Sequence, residues 1–430
     1  MTAVIMAGGK GTRIRSVSEE LPKPMILIDG KPVLWYVIQQ LKKYGFTDII
    51  ITVGYKAESI TEWASDGSEL GVNISYFVEE EPLGNAGALL RIKDRLTDDF
   101  LLVNGDVIFD VDLKCFAEYH RSRGGLITLL THPNSHPYDS GIIVADDNGK
   151  VSECFAKEDT KPPFYKNRTN AGLHILNVKA LDGVDSQKER IDLDRDVIRP
   201  AIPSENVYCY DSTEYVRDMG TPERYSMVCD DYVKGRISAK NRNNLQKAIF
   251  LDRDGTINKE VGFLKSIDEF ELIPGAAEAI KKINNSGYLA VVVTNQPVIA
   301  RGEVTREGLR DIHYYMETLL GEQGAYLDDI YYCPHHPHKG FEGEVTELKI
   351  ECDCRKPKPG MLLKAAEEHN IDLKHSWIIG DDHKDIEAGE NAGCRTVFIT
   401  NDPKTELFEA DSLITAVDII LKECEEQNND

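Results

Sequence analysis

Residues 234–256 read KGRISAKNRNNLQKAIFLDRDGT, and the change of character inside this stretch decides how the chain is organised. Lys234 to Lys247 is basic and polar with almost no large apolar residue, so it has little with which to build a core. Ala248-Ile249-Phe250-Leu251 then starts a fresh apolar strand that runs straight into Asp252-Arg253-Asp254-Gly255-Thr256. A surface helix inside one domain would also be polar, but the restart of a complete phosphate-site motif directly afterwards favours a boundary. The reading predicts two domains, residues 1–233 and 247–424, joined by a linker at 234–246. A chain of 430 residues allows two or three domains at a prior of ~150 residues each. The tail KECEEQNND after Leu421 reads as frayed.

Short β-rich runs alternate with helical stretches on both sides of the boundary. TAVIMAG, VLWYVIQQLKKYG and DIIITVGY precede it, and KAIFLD, AAEAIKKINNSG and YLAVVVTN follow it. That alternation predicts an α/β class with mostly parallel sheets. Hydrophobic content of 41% and charged content of 29% are those of a soluble globular protein. No apolar run approaches the ~18 residues that span a bilayer. A formal net charge of −23 repels polyanions, which excludes nucleic acid and anionic membrane surfaces as partners. Small phosphorylated substrates stay open, because they need only local clusters of backbone N–H groups, Lys and Arg. Met1 to Ala7 shows no basic segment, long apolar stretch or cleavage site. The nine cysteines are clustered only between Cys333 and Cys354, which suits a reducing compartment and a metal site. A cytoplasmic location is expected, and an oligomer is compatible with the sequence.

The first strand runs into Ala7-Gly8-Gly9-Lys10-Gly11-Thr12-Arg13, and Leu21-Pro22-Lys23-Pro24-Met25 follows. Glycines let backbone N–H groups approach phosphate oxygens, and Arg13 and Lys23 add positive charge where a triphosphate is negative. A tight turn explains a glycine loop alone, but not its pairing with a proline-fixed lysine. GGKGTR followed by PKPM resembles the sugar-1-phosphate nucleotidyltransferase family, and the likeness continues to about residue 230. Glu81-Pro82-Leu83-Gly84-Asn85-Ala86-Gly87, Asn104-Gly105-Asp106, Asn170-Ala171-Gly172 and Asp218-Met219-Gly220-Thr221-Pro222-Glu223 stand in that family's order. The resemblance implies a Rossmann-like nucleotidyltransferase fold that binds nucleotide through Gly8, Gly9, Gly11, Thr12, Gly84 and Asn85. It places Asp106 and Asp218 on magnesium, and Asn170 and Lys157 beside the sugar phosphate. The chain departs from the family at Asn85, where Thr is usual, and at Phe155-Ala156-Lys157-Glu158, where Glu-Lys is common. The implied reaction is in-line attack of a sugar-1-phosphate oxygen on the α-phosphorus of a nucleoside triphosphate. Pyrophosphate leaves, and Lys23, Arg13 and the metal position the anions and stabilise charge.

In the second half, Asp252 and Asp254 lie two residues apart beyond a strand, so both can address one site. Leu289 to Val293 delivers Thr294-Asn295-Gln296, then comes Cys354-Arg355-Lys356-Pro357-Lys358-Pro359-Gly360, and Trp377-Ile378-Ile379 delivers Gly380-Asp381-Asp382. These motifs resemble the haloacid-dehalogenase phosphatases. The resemblance implies a Rossmannoid fold with Asp252 as nucleophile and Asp254 as acid and base. It puts magnesium on Asp252, the carbonyl of Asp254, and Asp381, with Asp382 a further possible ligand. Thr294 and Lys356 would hold the phosphoryl group, although Lys358 is close enough to be the inward lysine instead.

Cys333-Pro334-His335-His336-Pro337-His338 and Cys352-Asp353-Cys354 offer three thiols and an imidazole, a tetrahedral set that favours structural zinc. A loop of this form followed by CRKPKPGM is similar to the D-glycero-D-manno-heptose 1,7-bisphosphate phosphatase subfamily over about residues 247 to 400. That likeness selects His335 as the zinc ligand. It gives substrate recognition to Arg355 and the pocket to Glu260, Gly262, Phe263, Asn295 and Gln296. The chain departs at Pro297-Val298, commonly Ser-Gly, and at Asp382, commonly Lys, which exchanges a cation for an anion. The first half is most similar to the D-glycero-α-D-manno-heptose 1-phosphate guanylyltransferases. Together the resemblances imply one enzyme that removes the 7-phosphate of a heptose bisphosphate and caps the heptose 1-phosphate with GMP from GTP. Another sugar or base, or one half acting only as a regulatory module, are the rival readings.

Overall fold

Thr2–Ala7 is buried at every position but the half-buried Met6, as a central strand covered on both faces must be. The computed structural model to which it belongs describes residues 1–9, 21–400 and 408–428. The chain divides into two units. The first holds Met1–His132, Gly141–Asp159 and Arg168–Asn241, and the second holds Arg242–Asp430 together with Pro133–Ser140 and Thr160–Asn167. Those two short segments carry no signature in the linear sequence. One of them is fixed in the second unit where the Tyr165 N–H donates to Thr318 Oγ1 at 3.0 Å.

Leaving aside two short hairpins (Leu27–Ile28 with Lys31–Pro32, and Ile142–Ala145 with Val151–Phe155), the strands of the first unit are β1 (Thr2–Ala7), β2 (Asp48–Val53), β3 (Asn73–Val78), β4 (Asp99–Asn104), β5 (Val107–Asp110), β6 (Ile127–His132), β7 (Thr169–Asn177), β8 (Val207–Asp211) and β9 (Tyr215–Asp218). Seven of them form one sheet in the order β8-β6-β7-β4-β1-β2-β3, in which only β7 runs antiparallel to its neighbours. Because side chains alternate along a strand, Ile5, Ile51 and Val103 pack on one face with Val37, Ile38 and Leu41 of the helix Val33–Lys43. Val4, Leu102, Leu129 and Leu176 build a second cluster on the other face. The ribbon β5 and β9 pairs Val107 with Asp218 and so carries Asp218 to the strand end where Asp106 lies.

The second unit has β10 (Ala248–Leu251), β11 (Leu289–Asn295), β12 (Asp329–Cys333), β13 (Trp377–Gly380), β14 (Arg395–Ile399) and β15 (Glu409–Ala410). They form a parallel sheet in the order β12-β11-β10-β13-β14-β15. Ile249, Leu251, Val292 and Ile379 face Ile280, Ile283, Ile312 and Met316, while Phe250, Val291, Val293 and Ile378 face Met361, Leu362 and Ala365. Each such side chain removed from water contributes about 1.5–3 kcal/mol, which explains why the apolar runs are continuous rather than alternating. Sequential order breaks at β10, whose neighbours β11 and β13 lie on opposite sides, and a crevice opens at the carboxyl ends of the strands there. Among the described residues no helix is long and apolar enough to cross a membrane.

Candidate active sites

In the first unit, a cavity of about 750 Å³ lies at the carboxyl ends of β1, β2 and β3. Gly8 and Gly9 line it where β1 stops, and Gly8 leaves room for Glu79: a Cβ there would sit 2.8 Å from Glu79 Oε1 and push that side chain aside. Lys23, on the short turn Lys23–Met25 flanked by Pro22 and Pro24, places Nζ 2.7 Å from Asp106 Oδ2. The Met219 N–H donates to the Asp106 carbonyl at 3.0 Å, so the Asp218 segment is tied to Asp106. Asp218 itself accepts from Arg224 Nη1 at 2.7 and 2.8 Å and from the Gly220 N–H at 2.9 Å. Both side chains offer the hard carboxylate oxygens that magnesium takes, and Asp106 lines the cavity whereas Asp218 does not. Arg13, Gly11 and Thr12 lie outside the described residues.

Gly84 and Asn85 line the cavity, and the way Asn85 is held explains the departure from Thr at that position. Its Oδ1 accepts from the Leu193 N–H at 2.7 Å and its Nδ2 donates to Asp192 Oδ2 at 3.3 Å. The Ala86 N–H donates to the Ile191 carbonyl at 3.0 Å, and Gly84, at φ +87°, approaches Ile191 so closely that a Cβ would stand 2.3 Å from that carbonyl oxygen. This staple carries the neighbouring Arg190 to the cavity wall, a residue to which no motif pointed. Glu79 is another wall residue to which no motif pointed. Burial raises its proton affinity, opposed by the Leu83 N–H at 3.3 Å. Asn170 and Lys157 do not line this cavity. Asn170 accepts from the Gly172 N–H at 3.0 Å and lies 2.9 Å from His174 Nε2, and Lys157 is exposed.

In the second unit, a cavity of about 350 Å³ brings together Asp252, Asp254, Glu260, Gly262, Phe263, Thr294, Asn295, Gln296 and Arg355. Beneath it Lys356 is fully buried, with Nζ 2.9 Å from Asp252 Oδ1, 2.7 Å from Asp385 Oδ1 and 2.7 Å from the Val293 carbonyl. The ammonium therefore sits between two carboxylates and donates to a carbonyl, which makes Lys356 the neutralising partner of Asp252 in this arrangement. Lys358 is half-exposed and points to Asp353. Asn295 fixes the lysine's backbone: its Oδ1 accepts from the Lys356 N–H and its Nδ2 donates to the Lys356 carbonyl, both at 3.0 Å. The Asp254 carboxylate accepts from Arg253 Nη2 at 2.8 Å, Gln296 Nε2 at 2.8 Å and Asn258 Nδ2 at 3.0 Å. Burial pushes Asp254 up, but Arg253 and these hydrogen bonds outweigh it and hold the group below its ordinary range.

Asp252, Asp381 and Asp385 each place a carboxylate oxygen within 4.8 Å of the others. Burial, and next the charge of Asp252, push Asp381 up to about 6 and Asp385 up to about 7. A cluster so short of positive charge fits a divalent cation. Asp385, three residues beyond the last motif residue, joins this group, and Asp382 is not among its members. The Asp382 carboxylate instead caps the helix His383–Ala392 by accepting from the Lys384 N–H at 3.0 Å, and pairs with Lys384 Nζ at 2.8 Å. Lys384 also lines the cavity, so a cation stands two residues beyond the position where one was missing.

Cys333, His335, Cys352 and Cys354 form a second group with ligand atoms within 4.8 Å of one another. The Cys354 sulfur is 3.2 Å from Cys333, 3.4 Å from Cys352 and 3.3 Å from His335 Nδ1. Hydrogen bonding from Cys333 leads the effects that hold Cys354 down at about 5, against burial, so a thiolate is already favoured. His336 turns its Nδ1 to the His338 carbonyl instead. Three sulfurs and one imidazole nitrogen close a four-ligand set that fits a structural metal. The loop they organise presents Arg355, whose Nη1 donates to the His335 carbonyl at 3.1 Å.

Residues 2–235, more than half of the chain, match the nucleotidyl transferase family model, and the chain belongs to that family. Residues 353–415 match the HAD-hydrolase-like model. The chain is a bifunctional enzyme that joins a nucleotidyltransferase to a phosphatase. The second half is 46% identical over 164 residues to the D-glycero-beta-D-manno-heptose-1,7-bisphosphate 7-phosphatase of Pasteurella multocida, covering 38% of this chain and 86% of that protein. It is 44% identical over 160 residues to the protein of the same name in Escherichia coli K12, covering 37% of this chain and 82% of that protein. Among solved structures, HddC from Yersinia pseudotuberculosis aligns with 54% of this chain and 99% of its own, at 26% identity and a TM-score of 0.46.

Gly255 supplies a direct test of the second cavity. It sits at φ +78°, and a Cβ there would stand 1.9 Å from Asp381 Oδ2. Gly255→Ala must displace the Asp381 carboxylate, and phosphatase turnover should fall by roughly 10²-fold, as a displacement of about 1 Å can cost. Nucleotidyl transfer by the same preparation should stay near wild type. A variant with full phosphatase activity would show that Asp381 is not needed in this position.

Proposed function

We propose that the second unit hydrolyses the 7-phosphate of a D-glycero-D-manno-heptose 1,7-bisphosphate, and that the first unit then transfers GMP from GTP to the heptose 1-phosphate, releasing pyrophosphate. The observation that carries this reading is the 46% identity to a heptose-bisphosphate phosphatase, in a chain whose other half is a nucleotidyltransferase. The product is a GDP-heptose.

In the hydrolysis, Asp252 attacks phosphorus, the bond from phosphorus to the sugar oxygen breaks, and an aspartyl-phosphate forms. Asp254 gives its proton to the departing oxygen, then takes one from the water that splits the aspartyl-phosphate and restores Asp252. Asp254 is ionised at rest because Arg253 and its hydrogen bonds favour the charged form. It gains its proton as the phosphate dianion enters and adds negative charge beside it. Asp252, Asp381 and Asp385 would hold magnesium, which when bound offsets repulsion between the nucleophile and the phosphate. Cys333, His335, Cys352 and Cys354 would hold zinc with no open position.

In the transfer, Lys23 and the glycine loop position the triphosphate, and Asp106 and Asp218 would hold the second magnesium. Glu79 supports the choice of guanine. Its carboxylate offers two acceptor oxygens on the cavity wall, and guanine presents adjacent donors in its N1–H and 2-amino groups. A transferase site fitted to a neutral 7-hydroxyl would have to bury a second dianion without a partner, so hydrolysis comes first.

Asp252→Asn should lower phosphate release from heptose 1,7-bisphosphate by at least ~10³-fold. The same variant should form pyrophosphate from GTP only when heptose 1-phosphate is added. A nucleotide-linked heptose still carrying its 7-phosphate would reverse the proposed order. Cys352→Ser should lose zinc from a wild-type content of about one per chain, read by elemental analysis; unchanged zinc would remove Cys352 from the ligand set. Glu79→Gln should cut the preference for GTP over UTP and ATP by roughly 10-fold or more, read from kcat/KM. An unaltered preference would mean that the base is selected elsewhere.

A further inference from the structure

We infer that Lys384 is the specificity-determining cation at the mouth of the phosphatase cavity: it receives the phosphate of a sugar bisphosphate that is not cleaved, and Asp382 holds it in position. This deepens the reading of the second unit as a sugar-bisphosphate phosphatase and rests on it.

The charges on the cavity wall carry the argument. Asp252, Asp254, Glu260, Asp381 and Asp382 are carboxylates, and among the described residues the cations that line the cavity with them are Arg355 and Lys384, since Arg253 and Lys356 are fully buried behind Asp254 and Asp252. Lys356 lies below, fully buried and paired with Asp252 and Asp385, so its charge is already committed to the carboxylates of the floor and is not offered to a second anion. A bisphosphate brings two phosphate groups, each carrying close to two negative charges at neutral pH. The group that reacts is enclosed with Asp252, and the other reaches outward and has to meet positive charge at the rim. Lys384 is placed for that meeting, since its side chain is 39% exposed and that of its partner Asp382 is 50% exposed.

The pairing of the two is suited to release. Asp382 is fixed by its role as helix cap, and it takes one of the three N–H groups of Lys384 at 2.8 Å. A half-exposed ion pair of this kind is weak, so the lysine can turn donors to a phosphate at little cost. Without a substrate, Asp382 keeps the flexible lysine at the rim instead of letting it collapse onto the anionic floor. Arg355, held by the His335 carbonyl, is the only other cation on this wall, and the two together form a clamp for one dianion.

The test is made on the full chain loaded with magnesium and zinc, comparing heptose 1,7-bisphosphate with p-nitrophenyl phosphate, which has no second anion. Lys384→Met should raise KM for the bisphosphate about tenfold or more, leave its kcat within about twofold, and leave both constants for p-nitrophenyl phosphate unchanged. Lys384→Arg should restore most of the lost affinity, and nucleotidyl transfer should be unaffected in both. If Lys384→Met does not fold, wild-type enzyme still decides the matter: KM for the bisphosphate should rise with salt more steeply than KM for the monophosphate ester. An unchanged KM for the bisphosphate, an equal loss on both substrates, or equal salt dependence would overturn the inference. A wild-type enzyme that does not hydrolyse the bisphosphate at all would instead overturn the reading beneath it.

Discussion

A lysine ammonium set against an aspartate at the end of a parallel sheet is the interaction on which both sites depend. Lys23 meets Asp106 at 2.7 Å in the first unit, and Lys356 meets Asp252 at 2.9 Å in the second. The second pair is the more demanding, because Lys356 has no exposed surface. A buried ammonium without partners costs several kcal/mol, so its neighbours are constrained to supply acceptors. Asp252, Asp385 and the Val293 carbonyl do so, one from the end of β10, one from the first turn of the helix His383–Ala392 and one from within β11. Asp252 is thereby held with its charge partly offset before any substrate arrives, which is preorganisation in the electrostatic sense.

The same constraint reaches outward through the backbone. Lys356 can occupy its place only if the Cys354–Lys356 segment is fixed, and two devices fix it. Asn295 binds both the N–H and the carbonyl of Lys356, and the Cys333, His335, Cys352 and Cys354 cluster closes the loop just before it. Short loops of this sort have little apolar surface to bury, so a metal can replace a core as the source of order. Lys349 adds to the effect: its side chain is fully buried over the Phe341 ring and donates to the His338 carbonyl. The loop is thus rigid for reasons of local chemistry, and Arg355 is presented by a frame instead of a flexible strand.

In the first unit the corresponding rigidity comes from backbone contact. Gly84 and Asn85 bind the loop before the helix Gly87–Arg91 to the segment Ile191–Leu193, and Gly8 leaves just the space that Glu79 fills. The cavity thus has fixed backbone dipoles on its wall and an Asp106 carboxylate already paired with Lys23. Phosphate hydrolysis and nucleotidyl transfer both depend on the positioning of anions, which is why both sites are built from short loops on rigid strands.

The alternation of apolar runs, the restart at Ala248, the Asp252 and Asp254 pair, and the thiols grouped between Cys333 and Cys354 are legible in the sequence because each is a local pattern. Strand periodicity and motif spacing depend only on residues near one another in the chain. What lies far apart could not be read in that way. Asp385 joins Asp252 because a helix turn brings it back over the strand end, and Asp382, nearer to the motif, is taken up as that helix's cap. Lys356 faces inward and Lys358 outward, a choice set by which ammonium finds buried acceptors. Glu79, Arg190 and Lys384 carry no motif, and they reach their cavities only because β3, the Asn85 staple and the first turn of a helix end there. Even the division of the chain is linear only in part, since Pro133–Ser140 and Thr160–Asn167 belong with the second unit. Local sequence therefore determined which chemistry is present, while tertiary packing decided which side chains perform it, because charge pairing and burial are settled between residues that meet only in the folded chain.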